Sequence, residues 1–106
     1  MSEEQIWIDS TADFDERGLQ VVEHEGQEIL LCNASDGVYA VENLCSHAAE
    51  QLFFGKLKGD KIFCPLHGGS FDVKTGEALS KPASLPIATF KVVVQDYDIF
   101  LRPDGD

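Results

Sequence analysis

Four residues in this chain could do chemistry together. Cys45 and His47 are separated by one residue, Cys64 and His67 by two, and sixteen residues lie between the pairs. They account for two of the three cysteines and two of the three histidines. Each pair offers one soft thiolate and one imidazole, ligand types that suit zinc or an iron–sulfur centre. The unequal spacing argues against a generic zinc finger and for a two-iron cluster with mixed ligands. A structural zinc module remains the alternative from a different class, because four N/S donors also satisfy tetrahedral zinc. The third cysteine, Cys32, sits in an apolar run and reads as a small core residue. His24 sits in a Glu-His-Glu-Gly turn and reads as exposed and structural.

Short strands must present these pairs. Residues 5–9 have strand character, and 13–18 read as a polar loop. Residues 19–23 and 28–32 flank a turn at 24–27 and predict a hairpin. Asp36-Gly37 is a turn signal leading into a strand over 38–41. Three or four antiparallel strands thus precede Cys45. Strands over 61–63 and 70–73 bracket the second pair, with a possible short turn at 50–54 between the pairs. Residues 89–95 and 98–101 form a last hairpin about Asp96-Tyr97. No long 3.6-residue periodicity occurs, so the fold class is all-β, a sandwich or barrel. Both ligand pairs fall on loops at strand ends. Trp7 is expected in the core or as an edge cover.

The motif and its surroundings resemble those of Rieske proteins. The matching residues are Cys45-Ser46-His47, then Cys64-Pro65-Leu66-His67-Gly68-Gly69-Ser70-Phe71-Asp72, then Thr75-Gly76-Glu77-Ala78-Leu79 and the Pro82 to Pro86 stretch. They are similar to the small ferredoxins that serve ring-hydroxylating dioxygenases. The resemblance implies an antiparallel β-sandwich with a small cluster-binding subdomain formed by two loops. It implies one domain over residues 1–106, with the cluster-binding part at about 43–86. It implies one Rieske-type [2Fe-2S] cluster per chain, Cys45 and Cys64 holding one iron, His47 and His67 the other. Gly68 and Gly69 would let the backbone approach the cluster and aim N–H groups at its sulfides. His47, His67, Leu66 and Pro82 would form the surface through which electrons pass, within an apolar apron that also takes in Leu44, Ala48, Ala49 and Leu85. Lys56, Lys58, Lys61 and Lys81 either flank that end or are a solvated face.

The departures from the high-potential Rieske branch are as informative as the matches. Those proteins clamp the cluster with a disulfide between the two loops. Here Leu66 occupies the second-loop position, and the first loop has no spare cysteine. They also hydrogen-bond the cluster with a Ser and a Tyr, where this chain has Gly69 and Phe71. Fewer hydrogen bonds leave the added electron less stabilised. The potential is therefore expected at the low end of the Rieske span, near about −150 mV.

The implied role is that of a carrier, not an enzyme. Single electrons would come from an NAD(P)H-dependent flavin ferredoxin reductase and pass to the Rieske centre of a terminal aromatic-ring-hydroxylating oxygenase. The alternative is a small Rieske subunit of another oxidoreductase, such as assimilatory nitrite reductase. The chain carries no second iron motif of two His and a carboxylate. Its net charge of −11 comes from 8 basic and 19 acidic residues. Residues 1–50 hold 12 acids and a single base, Arg17, whereas residues 51–106 hold seven of each. This disfavours nucleic acid, whose phosphates need Lys and Arg. The acidic half is either a solvated face or a device that steers the chain toward a basic protein partner. No apolar run approaches the roughly 20 residues of a membrane span. The acidic opening lacks the pattern of a signal peptide, and three cysteines do not make a disulfide framework. A cytoplasmic monomer with no membrane partner is the expectation.

The ligand assignment makes a direct prediction. His47→Cys or His67→Cys abolishes the electron paramagnetic resonance spectrum of a His-ligated cluster, while Cys32→Ser leaves it intact. A bleached Cys32→Ser protein would overturn the assignment.

Overall fold

The computed structural model describes residues 5–46, 50–66, 68–81, 83 and 85–102. The hairpins signalled by the sequence are all present. β1 (Ile6–Ser10) leads through a short 3-10 turn at Thr11–Asp13 and a loop to β2 (Leu19–His24), β3 (Gln27–Ala34) and β4 (Gly37–Glu42). A second 3-10 turn at Leu52–Phe54 follows, then β5 (Lys56–Lys58), β6 (Lys61–Phe63), β7 (Ser70–Asp72) and β8 (Ala78–Ser80). The last hairpin is β9 (Thr89–Gln95) and β10 (Asp98–Arg102). Every strand pair is antiparallel.

One sheet has the order β1-β10-β9-β4-β3-β2, the other β5-β6-β7-β8. In the larger sheet β4 meets β9 only at Ala40↔Phe90 and Val41↔Thr89. Two three-stranded ribbons therefore fold over one another about this short seam. Ile29 and Leu31 of β3 face Ile99 and Leu101 of β10, with Ile6, Ile8, Phe90 and Val92 around them. The alternate residues Leu30 and Cys32 point the other way, into a second core with Leu19, Leu52, Ile62, Phe71, Val73 and Ile87. β3 is thus buried on both faces. This explains its unbroken Ile-Leu-Leu-Cys run, which a strand with one wet face would interrupt with polar residues. Each of these buried aliphatic side chains contributes about 1.5–3 kcal/mol relative to exposure. Cys32 is a core residue as expected, and burial pushes its thiol pKa up to about 12.

The smaller sheet is more regular than the sequence signals. β5 and β8 have three residues each, too few to display a period. Trp7 is not in the core. It is 55% exposed on the edge strand β1 and donates its indole N–H to Asp98 at 3.0 Å, so it covers the edge. His24 closes β2, partly buried, and the turn itself is Glu25-Gly26. Lys58 pairs with Lys61 across the β5–β6 turn, at the end of that hairpin away from Cys64. These two lysines do not flank the ligand loops. Lys74 joins the layers at the same end, 3.0 Å from Asp36 in the β3–β4 turn and 3.4 Å from Asp60. Pairs this open to solvent are screened and contribute little to stability. Among the described residues, no helix is long and apolar enough to cross a membrane.

Gly76 fixes the third loop to the smaller sheet. Its φ is +80°, and a Cβ there would meet the Ile87 carbonyl oxygen at 2.1 Å. Its N–H reaches Asp72 O at 2.7 Å, and its own carbonyl accepts Ile87 N at 2.9 Å. Both the conformation and the close approach demand glycine. Gly76→Ala is expected to cost about 2–4 kcal/mol in denaturant unfolding followed by circular dichroism, from strain and lost contact. A loss below about 0.5 kcal/mol would show that this junction can relax.

Candidate metal centre

β4 ends at Glu42 and hands the chain to Asn43, Leu44 and Cys45; β6 ends at Phe63 and hands it to Cys64. Each cysteine starts a loop that closes on itself. Cys45 N–H bonds Glu50 O at 2.9 Å, and Cys64 N–H bonds Gly69 O at 2.7 Å. The cysteines are each 3% exposed and share a core with Leu52, Phe71, Val73 and Ala83. Their side chains touch. Burial raises the Cys64 pKa, the Leu66 backbone N–H on its sulfur opposes this, and the hydrogen bond with Cys45 adds to the rise. The fold therefore brings together two thiols 19 positions apart in sequence. It holds them dry and in contact, and leaves Cys32 out.

His47, His67 and Pro82 lie outside the described residues, as do Ala48 and Ala49. Among the described residues no three metal-binding side chains gather, so the thiols stand there as a pair. Two adjacent buried cysteines on facing loops, each loop carrying a histidine in its sequence, fit the thiolate half of a mixed-ligand iron–sulfur centre.

Gly68 has φ +77° with open space where a Cβ would stand. It is needed for its left-handed backbone, not for room. Gly69 is buried and supplies the carbonyl that closes the loop. The hydroxyl of buried Ser70 is taken by Ser80 at 2.7 Å, and Phe71 is wholly buried. A third loop leans on the first. Ala83 N–H bonds Ser80 O at 3.1 Å, and the Ser46 hydroxyl donates to Leu85 O at 2.7 Å. Ala88 N–H bonds Glu42 Oε1 at 2.7 Å, returning the chain to β9. Leu44, Leu66 and Leu85 are 45%, 41% and 63% exposed, an apolar rim at this end of the molecule.

Three supports were not visible in the sequence. The first is Asn43, only 4% exposed two residues before Cys45. The second is Arg17, the single base of the first fifty residues. Its guanidinium donates to Phe53 O at 2.7 Å and Gly55 O at 3.1 Å, pairs with Asp15 at 2.7 Å, and lies 4.6 Å from the Phe53 ring centre. It props the segment on which the first loop closes. The third is the Ser46 hydroxyl. Asn43 had one signal, a polar residue between the apolar strand 38–41 and Leu44-Cys45; the other two had none.

Two loops that share a metal group are expected to order with it. Hydrogen exchange across residues 45–70 is expected to slow when the cluster is present and to speed up when it is stripped. Equal protection in both states would refute this coupling.

Comparison with known proteins agrees with this geometry. The model of the Rieske [2Fe-2S] domain matches residues 4–91. The ferredoxin component of the naphthalene 1,2-dioxygenase/salicylate 5-hydroxylase systems of Ralstonia sp is 39% identical over 100 residues, covering 92% of this chain and 96% of that protein. The ferredoxin of carbazole 1,9a-dioxygenase from Nocardioides aromaticivorans IC177 superposes with a TM-score of 0.85 at 32% identity, covering 95% of this chain and 99% of that one. A chain from a complex of reduced oxygenase and oxidized ferredoxin in carbazole 1,9a-dioxygenase matches with a TM-score of 0.83 at 31% identity, covering 97% and 98%. With the ligand-bearing loops, the two-layered β architecture and the family match in agreement, this chain belongs to the Rieske [2Fe-2S] domain family.

Proposed function

We propose that this chain is a low-potential one-electron carrier of a ring-hydroxylating dioxygenase system, forming one Rieske ferredoxin domain over 1–106 with its cluster-binding part at about 43–86. It takes electrons from an NAD(P)H-dependent flavin ferredoxin reductase and gives them to the Rieske centre of a terminal oxygenase. The observation that carries this reading is the pair of touching, buried thiols of Cys45 and Cys64 under an exposed leucine rim. The relatives that match over nearly their whole length are themselves ferredoxin components, which supports a carrier and not a catalyst.

Cys45 and Cys64 hold one iron, and His47 and His67 the other. When bound, a cluster of this kind takes up and returns one electron. The chain's own residues exclude water from the sulfurs, through Leu52, Phe71 and Ala83. Gly68 and Gly69 turn the second loop so that its backbone N–H groups can face the sulfides. The rim of Leu44, Leu66 and Leu85, with Pro82, docks a partner by a small apolar contact. Redox encounters typically bury under about 1,200 Å², so docking is brief. Only part of the resemblance to high-potential proteins is kept. Phe71 brings no hydroxyl and the Ser70 hydroxyl is engaged by Ser80, consistent with a low potential. We place the protein in the cytoplasm as a monomer.

The test is reconstitution. The purified cluster-loaded protein is mixed with a flavin reductase, NADH and the terminal oxygenase of a naphthalene dioxygenase system. Expected are a monomer on gel filtration, a midpoint potential near about −150 mV by voltammetry, and stopped-flow reduction of the oxygenase that slows as salt rises. Co-purification with a large catalytic subunit and no transfer to an oxygenase would move the assignment to a subunit of another oxidoreductase, such as assimilatory nitrite reductase. A colourless, zinc-bound protein would replace electron transfer by a structural module.

A further inference from the structure

We infer that Asn43 is the positioning residue of the first ligand loop, its carboxamide setting the environment in which Cys45, and with it His47, hold the cluster. The inference rests on the reading of Cys45 as a ligand. Asn43 is buried at 4% exposure, two residues before Cys45. Its Nδ2 donates to Glu28 Oε1 at 3.1 Å and to Gln51 Oε1 at 3.2 Å. Its Oδ1 accepts the Phe53 N–H at 2.8 Å. Its backbone N–H bonds Glu28 O at 3.2 Å. Both amide hydrogens and the carbonyl oxygen are therefore in use, as a buried amide requires.

These bonds define where the loop begins and ends. The chain leaves at Asn43 and returns at Gln51 and Phe53, and the Cys45–Glu50 backbone bond closes the inner rung at 2.9 Å. Any drift between the two sides of the base would move Cys45. Glu28 ties the base to the start of β3, the strand buried on both faces, so the reference point is the stiffest layer of the molecule. No other side chain of this size supplies two donors and one acceptor. Serine has one donor, aspartate none, and glutamine is a methylene too long.

The donor–acceptor direction can be reversed without changing shape or net charge. Asn43→Asp alone puts a carboxylate against Glu28 and loses both donors. Adding Glu28→Gln restores one donor from the opposite side and moves the negative charge from 28 to 43. Three measurements apply to each purified, cluster-loaded variant: the g values of the reduced cluster, the rate of iron loss to a chelator, and the melting temperature. Expected for Asn43→Asp are shifted g values and at least tenfold faster iron loss, with the Glu28→Gln/Asn43→Asp double variant back within threefold of the parent. Ile99→Ala, in the core beyond β3, lowers the melting temperature but keeps the parent g values. Gln51→Leu, at an exposed position, removes one acceptor and gives about threefold faster loss; it decides the matter should Asn43→Asp fail to fold. Parent g values and iron-loss rate in both Asn43→Asp and Gln51→Leu, or a double variant no better than Asn43→Asp, would overturn the inference. A parent protein without a His-ligated cluster signal would instead refute the ligand reading on which it rests.

Discussion

The ligand end of this molecule depends on β3 having no face in water. One side of the strand, Ile29 and Leu31, closes the core shared by the two ribbons. The other, Leu30 and Cys32, is the floor on which the ligand-bearing layer packs with Leu52, Ile62 and Phe71. A strand fixed on both faces and hydrogen-bonded to β2 and β4 can shift only by disrupting both cores. The loops need such a reference. They are short, and their sulfurs must meet without a disulfide to enforce the spacing.

Burial at the site has opposing effects. Water exclusion keeps the thiols unreactive toward solvent, and it also disfavours thiolate, as the raised Cys64 pKa records. A metal group reverses that balance, since a bound cation favours the deprotonated ligand. The Leu66 N–H directed at the Cys64 sulfur acts in the same sense. Burial thus favours the neutral Cys64 thiol until a bound cation displaces its proton. Cys32 is the internal contrast. It is equally buried, has no partner cysteine, and its thiol is held at a pKa of about 12 by burial alone.

Much of the fold was legible because the signals were local. Glu25-Gly26 and Asp36-Gly37 mark the hairpin turns, and the alternating or continuous apolar runs mark β2, β3, β4 and β9. The two cysteine-bearing loops stood out through residue type and spacing, and the fold brings Cys45 and Cys64 together. What stayed hidden was short or non-local. β5 and β8 are too brief to show a period. Trp7 could not be assigned between core and edge, because an aromatic on a strand suits both until its neighbours are known. The ties from Asn43 to Glu28 and Phe53 span 15 and 10 residues, and that from Arg17 to Phe53 spans 36. Such bonds leave no pattern in either segment. The lysines stayed open between two readings for a related reason: charge counts give a total, and only strand register puts Lys58 and Lys61 at the far turn.

The charge distribution acts on the proposed carrier in two ways that reinforce each other. Glu28 and Glu42 belong to the elements that deliver the first ligand loop, and Glu23, Glu25 and Glu50 are close to them along the chain. A unit charge about 10 Å from an added electron costs it about 0.4 kcal/mol in water and about 1.7 kcal/mol at an effective dielectric of 20. Carboxylates at such distances would lower the potential in the same direction as the proposed absence of Ser and Tyr hydroxyls. The same field would extend outward over roughly 8 Å at physiological salt and favour a basic partner at encounter. The exposed rim at Leu44, Leu66 and Leu85 would then act only at contact. Long-range attraction and a weak short-range grip would suit the carrier proposed above, which visits two partners in turn.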